Sequence, residues 1–151
     1  KKLVYILDNF HKISDGSGFE ERLRMKAASQ NLKDLAVQYH ASILATMEYT
    51  KMPAGIKPTN ANLLETGQLE FDLNFICHVY CDYQDLGAQS GLYFTDEIHG
   101  KQEKLPVVEL IIGKNKITPQ KGSLWAYLYS HSSDMILSDE APQSNQEEGK
   151  V

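Results

Sequence analysis

The sequence predicts an α/β fold with a mostly parallel central sheet and antiparallel strands toward the carboxyl terminus. Three observations predict it. The chain opens on an unbroken apolar run, Leu3-Val4-Tyr5-Ile6-Leu7, that stops at Asp8. Helical periodicity follows and leads to a second apolar run, Ala41 to Met47. From residue 73 on, apolar runs succeed one another with short connections. Strand, helix, strand is the order of a parallel pair with its crossover, whereas strands joined by short turns pair antiparallel.

Each element has its own signal. The first run reads as a strand buried on both faces, because parallel strands are continuous rather than alternating. Its aspartate sits at the carboxyl end, where ligands bind in such sheets. A polar loop, Ser14-Asp15-Gly16-Ser17-Gly18, comes next. Met25, Ala28, Leu32, Leu35, Ala36 and Tyr39 fall at steps of three and four, which predicts a helix over 19–39. Pro53, Gly55 and Pro58 mark residues 50–62 as a loop. A short helix is expected around 62–66, with Asn62 as N-cap and Gly67 ending it.

Leu73 to Cys81 is a further buried strand, 82–90 a turn, and Leu92 to Thr95 a short strand. Residues 96–105 read as a charged turn, and Val107 to Ile112 as a β-branched strand. Lys114 to Lys121 is a lysine-rich loop. Ser123 to Tyr129 alternates Leu124, Ala126 and Leu128 with Trp125, Tyr127 and Tyr129, a strand with two unlike faces. Trp125, Tyr127 and Tyr129 could stack bases, although packing is the commoner role on a strand. Residues 1–137 therefore form the core, and the polar, acidic stretch 138–151 is expected to be disordered.

Composition narrows the class. The 151 residues are 42% apolar and 23% charged, ordinary for a globular domain. A net charge of −5 argues against a generally basic nucleic-acid coat, but not against a local basic loop. No apolar run nears the roughly 18 residues a membrane helix needs. Neither a signal-peptide pattern nor a disulfide framework is evident, which fits a cytoplasmic protein with no membrane partner. Cys77 and Cys81 would stand about 13 Å apart on one strand face, too far for a disulfide or a shared metal. They read as buried thiols. His78 would point to the opposite face, so no zinc site is expected there. The chain begins at Lys1 rather than Met and reads as a fragment.

Four segments, in order, resemble the carboxyl-terminal half of the RecA-like ATPase domain of DnaB-type replicative ring helicases. LVYILDNFHKI is similar to the family's Walker B strand. NLKDLAVQYHASILATMEYTK resembles its helix, strand and γ-phosphate sensor. KPTNANLLETGQLEFDLNFICHVYCD resembles the stretch beside a loop that faces the DNA channel. VVELIIGKNKITPQKGSLWAYL resembles the hairpin whose Lys-x-Arg pair reaches the neighbouring subunit's nucleotide. The resemblance covers residues 3 to 130.

It implies a partial RecA-like P-loop NTPase core belonging to an ATP-dependent DNA helicase. Asp8 would hold Mg²⁺ and so help bind ATP. Glu48 would stand at the sensor position, where the family has Gln or His. Lys114 and Lys116 would act in trans on the nucleotide, with Lys116 in place of Arg. Lys57 would contact the DNA backbone. Single-stranded DNA, a ring (a hexamer) of like subunits, and a replication loader or primase would be the partners. The Gly-x-x-x-x-Gly-Lys-Ser/Thr loop that cradles phosphates is not in this sequence, so the chain by itself is not expected to hydrolyse ATP. Glu48 and Lys116 depart from the pattern. They leave open a catalytically decayed scaffold in a replication or recombination complex, or a RecA-like ATPase that does not unwind DNA.

Overall fold

The computed structural model describes residues 3–13, 21–63, 67–98, 101–129 and 132–144. The chain divides into two compact units, one of residues 1–51 and 59–74, the other of 52–58 and 75–151.

The first unit is built on a parallel pair. Strand β1 (Leu3–Leu7) lies beside β2 (Ala41–Ala45) in register from Leu3↔Ala41 to Leu7↔Ala45. Helix α1 (Glu21–Gln38) supplies the crossover. His40 takes a left-handed φ of 47° and turns the chain out of α1 into β2. Phe10, Met25, Ala28 and Leu69 form the buried core, with Ile13, Leu32, Ala45 and Met47 packed around it. Leu69 belongs to a short helix, α2 (Gly67–Asp72). Asp72 fastens α2 to α1 by accepting from Ser29 Oγ at 2.8 Å and pairing with Lys33 at 3.5 Å.

The second unit is an antiparallel sheet. Its strands are β3 (Phe75–Tyr80), β4 (Leu92–Ile98), β5 (Lys101–Asn115), β6 (Gly122–Tyr129), β7 (Asp134–Ser138) and β8 (Gln143–Ser144). The order is β7-β6-β5-β4-β8, and β3 pairs with the far end of β5. β5 is the spine: residues 101–106 pair with β4, 109–115 with β3, and 107–112 with β6. A short helix, α3 (Asp82–Leu86), follows β3. The buried Asp82 organises the next turn by accepting from Ser90 Oγ at 2.7 Å and from the Gly91 amide at 3.2 Å.

Several expectations change. The sheet is not mostly parallel: among the described strands only β1 and β2 run parallel. A parallel pair needs a long crossover, and the α1 segment provides one; after residue 75 the connections suit antiparallel pairing. β1 is not buried on both faces, since Leu3, Val4, Tyr5 and Ile6 are all exposed, Ile6 at 71%. Only the first half of the α1 stripe is covered, because Leu35 and Tyr39 are exposed.

Where the helix expected around 62–66 would begin, the described residues hold a single 3-10 turn, Asn60–Asn62. The Asn62 side chain folds back to accept from the Thr59 amide and hydroxyl, each at 2.8 Å, so it closes a turn instead of opening a helix. Gly67 then begins α2; residues 64–66 lie outside the described residues. The expected charged turn over 96–105 is strand on both sides, in register Asp96↔Glu103 and Glu97↔Gln102. Cys77 is exposed while its neighbour His78 is buried, so β3 buries only alternate residues and Cys77 is not a buried thiol. Beyond Ser138 the chain still pairs, Gln143 and Ser144 lying against Tyr93 and Leu92. The Ser14–Gly18 loop and residues 145–151 are outside the described residues.

Candidate functional site

The parallel register brings the two strand ends side by side, so Asp8 leaves β1 beside Thr46 leaving β2. Thr46 Oγ1 donates to Asp8 Oδ1 at 2.6 Å. The backbone continues the ladder: the Thr46 amide donates to the Leu7 carbonyl at 3.0 Å, and the Phe10 amide to the Thr46 carbonyl at 2.9 Å. Phe10, 3% exposed, anchors the chain just beyond Asp8 in the core. The Asp8–Asn9 peptide is cis. Asn9 Nδ2 donates to Glu48 Oε1 at 2.7 Å, and the Glu48 amide donates to His11 Nδ1 at 3.4 Å. Asp8, Asn9, His11, Thr46 and Glu48 thus form one polar cluster. Asn9 Oδ1 and His11 Nε2 are buried in it without a partner.

Asp8 is exposed and offers hard oxygen donors, the kind Mg²⁺ takes. No group of three or more His, Cys, Asp or Glu among the described residues could form a cage. Magnesium does not need one, since it is commonly held by one or two carboxylates, waters and the phosphates of a nucleotide. The donor set fits that mode. Glu48 accepts from the Asn9 side chain, the residue next to Asp8.

Lys57, Lys114 and Lys116 belong to the second unit. The Lys57 ammonium lies 2.7 Å from Glu109 Oε2 and 5.5 Å from the centre of the Trp125 ring. Ser123 Oγ donates to Glu109 Oε1 at 2.6 Å. The Glu109 side chain is 5% exposed and that of Lys57 51%. The 52–58 segment is held on the sheet unit a second time, where the Gly55 amide donates to Asp85 Oδ2 at 3.3 Å.

Lys114 is the penultimate residue of β5, and Lys116 opens the turn to β6. Asn115 closes that turn from inside. Its Oδ1 accepts from the Ile117 amide at 3.0 Å and the Thr118 amide at 2.9 Å, and its Nδ2 donates to Thr118 Oγ1 at 2.7 Å and the Gln120 carbonyl at 3.1 Å. The aromatic residues of β6 pack: Tyr127 meets Phe94 and Tyr129 edge to face, and the Tyr129 hydroxyl donates to Asp96.

The sequence reading missed Thr46, Asn9, His11, Glu109 and Asn115. Thr46 had a signal, since it follows its apolar run as Asp8 follows the first. Glu109 had one too, as the lone charge within Val107–Ile112, and a charge buried in a strand requires a partner.

The overall course of the chain matches solved structures. One solved ATPase domain superposes with a TM-score of 0.74 at 18% identity, over 92% of this chain and 45% of that one. A DnaB-like replicative helicase, determined for its interactions with primase, superposes with a TM-score of 0.71 at 19% identity, over 90% of this chain and 31% of that one. The chain folds as part of a DnaB-like replicative helicase folds. It spans less than half the length of either match. No protein-family model and no curated protein matches the sequence. No helix among the described residues is long and apolar enough to cross a membrane.

Proposed function

We propose that this chain is part of an ATP-driven, DnaB-like DNA helicase motor that works as a ring on single-stranded DNA. The observation that carries the reading is the pairing of Asp8 with Thr46 at the carboxyl ends of two parallel strands, within a chain that shares its fold with a replicative helicase. Mg²⁺ bound with ATP would neutralise charge on the β- and γ-phosphates. Asp8 would hold that ion, and Thr46 would orient the carboxylate. Asn9 holds Glu48 away from free rotation, so a glutamate at a γ-phosphate sensor position is positioned but repels the phosphate while ionised. Lys114 and Lys116 would offset phosphate charge in a neighbouring subunit. Lys57 would meet the DNA backbone through the donors that Glu109 does not use. A loader or primase would be a further partner of the ring.

The test is ATP turnover by the intact protein with Mg²⁺ and single-stranded DNA. Turnover should vanish in Asp8→Asn while thermal stability stays the same. Turnover that is indifferent to Asp8→Asn would refute the reading. Glu48 and Lys116 also support a second reading, a RecA-like module kept as a scaffold. Its mark would be an intact protein that assembles and binds DNA but turns over no ATP.

A further inference from the structure

The 52–58 segment packs with the sheet unit although the residues on both sides of it belong to the other unit. Its main ionic attachment there is one buried carboxylate. Glu109 stands in the middle of β5, grips the Lys57 ammonium with one oxygen and accepts from Ser123 on β6 with the other. It is the charged residue of the apolar stretch from Val107 to Ile112, and a carboxylate buried at that place must return its desolvation cost through its partners. Five residues further along the same strand is Lys114, about 17 Å away at the rise of a β-strand. Between them the strand pairs with β3 on one side and β6 on the other, so it is braced on both edges. At its end Asn115 holds the lysine turn rigid.

The geometry points to Glu109 as a positioning residue that moors the Lys57 segment to the strand bearing Lys114 and Lys116. DNA contact at the segment and phosphate contact at the hairpin then move as one body. This rests on the motor reading above. Glu109 touches neither ligand; it acts through Lys57. The Lys57 ammonium is wedged between carboxylate and indole, so a pull on it is delivered to β5 and β6 together.

The test compares wild type, Glu109→Gln, Lys57→Met, the double variant and the milder Ser123→Ala in the intact protein. Three quantities are read: the ratio of DNA-stimulated to basal kcat, the single-stranded DNA concentration giving half-maximal stimulation, and amide exchange over residues 52–58. Glu109→Gln should cut the stimulation ratio on the order of tenfold, the size of a typical coupling between sites. It should move the half-maximal DNA concentration far less, and raise exchange over 52–58. The double variant should lose no more stimulation than Lys57→Met alone, and Ser123→Ala should fall between wild type and Glu109→Gln.

A purely structural Glu109 would lower basal and stimulated kcat together and leave the ratio intact; that result overturns the inference. So does unchanged exchange over 52–58, or losses in the two single variants that multiply in the double. An intact protein without ATP turnover would sink the motor reading, and this coupling with it. Stimulated turnover that ignores Glu109→Gln would sink the inference alone.

Discussion

Lys57→Met and Glu109→Gln remove opposite halves of one ion pair, and their costs should differ. In Lys57→Met the carboxylate stays where it is, 5% exposed, with Ser123 as its remaining hydrogen-bond partner. Stripping the partner from a fully buried pair costs about 3–5 kcal/mol. Here half of the lysine side chain is in water, which weakens the pair, so about 2 kcal/mol is expected. In Glu109→Gln the amide oxygen still accepts from Ser123, and the released ammonium is already half solvated. That loss should be about 1 kcal/mol, the worth of one hydrogen bond. The double variant holds no stranded charge, so its cost should fall short of the sum by ~1 kcal/mol or more.

Urea denaturation followed by tryptophan fluorescence measures this in the right place. Trp125 is the sole tryptophan and its ring faces the Lys57 ammonium, so it reports on the sheet unit. With a slope near ~2 kcal/mol per molar urea, Lys57→Met should lower the midpoint by about 1 M. Equal costs for the two single variants, or strict additivity in the double, would refute the reasoning.

Three further outcomes follow from local geometry. The Tyr129 hydroxyl donates to Asp96, and that bond, with desolvation next, pushes the phenol up to about 12 from 10.0. The folded value lies above the unfolded one, so this contribution is whole below pH 10 and is lost as the pH climbs toward 12. Tyrosinate absorbance should show a late-titrating tyrosine that Tyr129→Phe removes. Burial lowers the pKa of His78 from 6.5, so the unfolded chain takes up the proton first. Stability of the sheet unit should therefore be full above pH 6.5 and decline below it, and His78→Gln should flatten that decline in urea midpoints taken across the range. Gly55 has φ +75°, and a Cβ there would sit 3.4 Å from Leu86 Cδ1. Gly55→Ala should cost about 1 kcal/mol in thermal unfolding, from the backbone conformation rather than from contact.

The parts of the fold that could be read from the sequence were those governed by local pattern. The unbroken run ending in Asp8, the α1 periodicity and the alternation of Ser123–Tyr129 are each established by a few neighbouring residues. What could not be read depended on partners distant in sequence. Residues 96–105 look like a turn because they are charged, yet 96–98 and 101–105 pair as strands, where Asp96 meets a tyrosine hydroxyl and Lys104 lies over the Tyr93 ring. Asn62 looks like a helix cap and instead folds back on Thr59. The candidate site divides the same way. Asp8 stood out alone, whereas Thr46, Asn9 and His11 join it only because two strands 38 residues apart run parallel in register. Lys57 was legible as a basic residue, but its hold on Glu109, far along the chain, was not.

The turn after β5 has a closing residue of its own, set between its lysines. Four hydrogen bonds of the Asn115 side chain close it. Exchanging Lys116 for arginine, methionine or glutamate leaves the residue that closes the turn in place. Differences in turnover among those three proteins then compare fork geometry, neutrality and reversed sign at one spot.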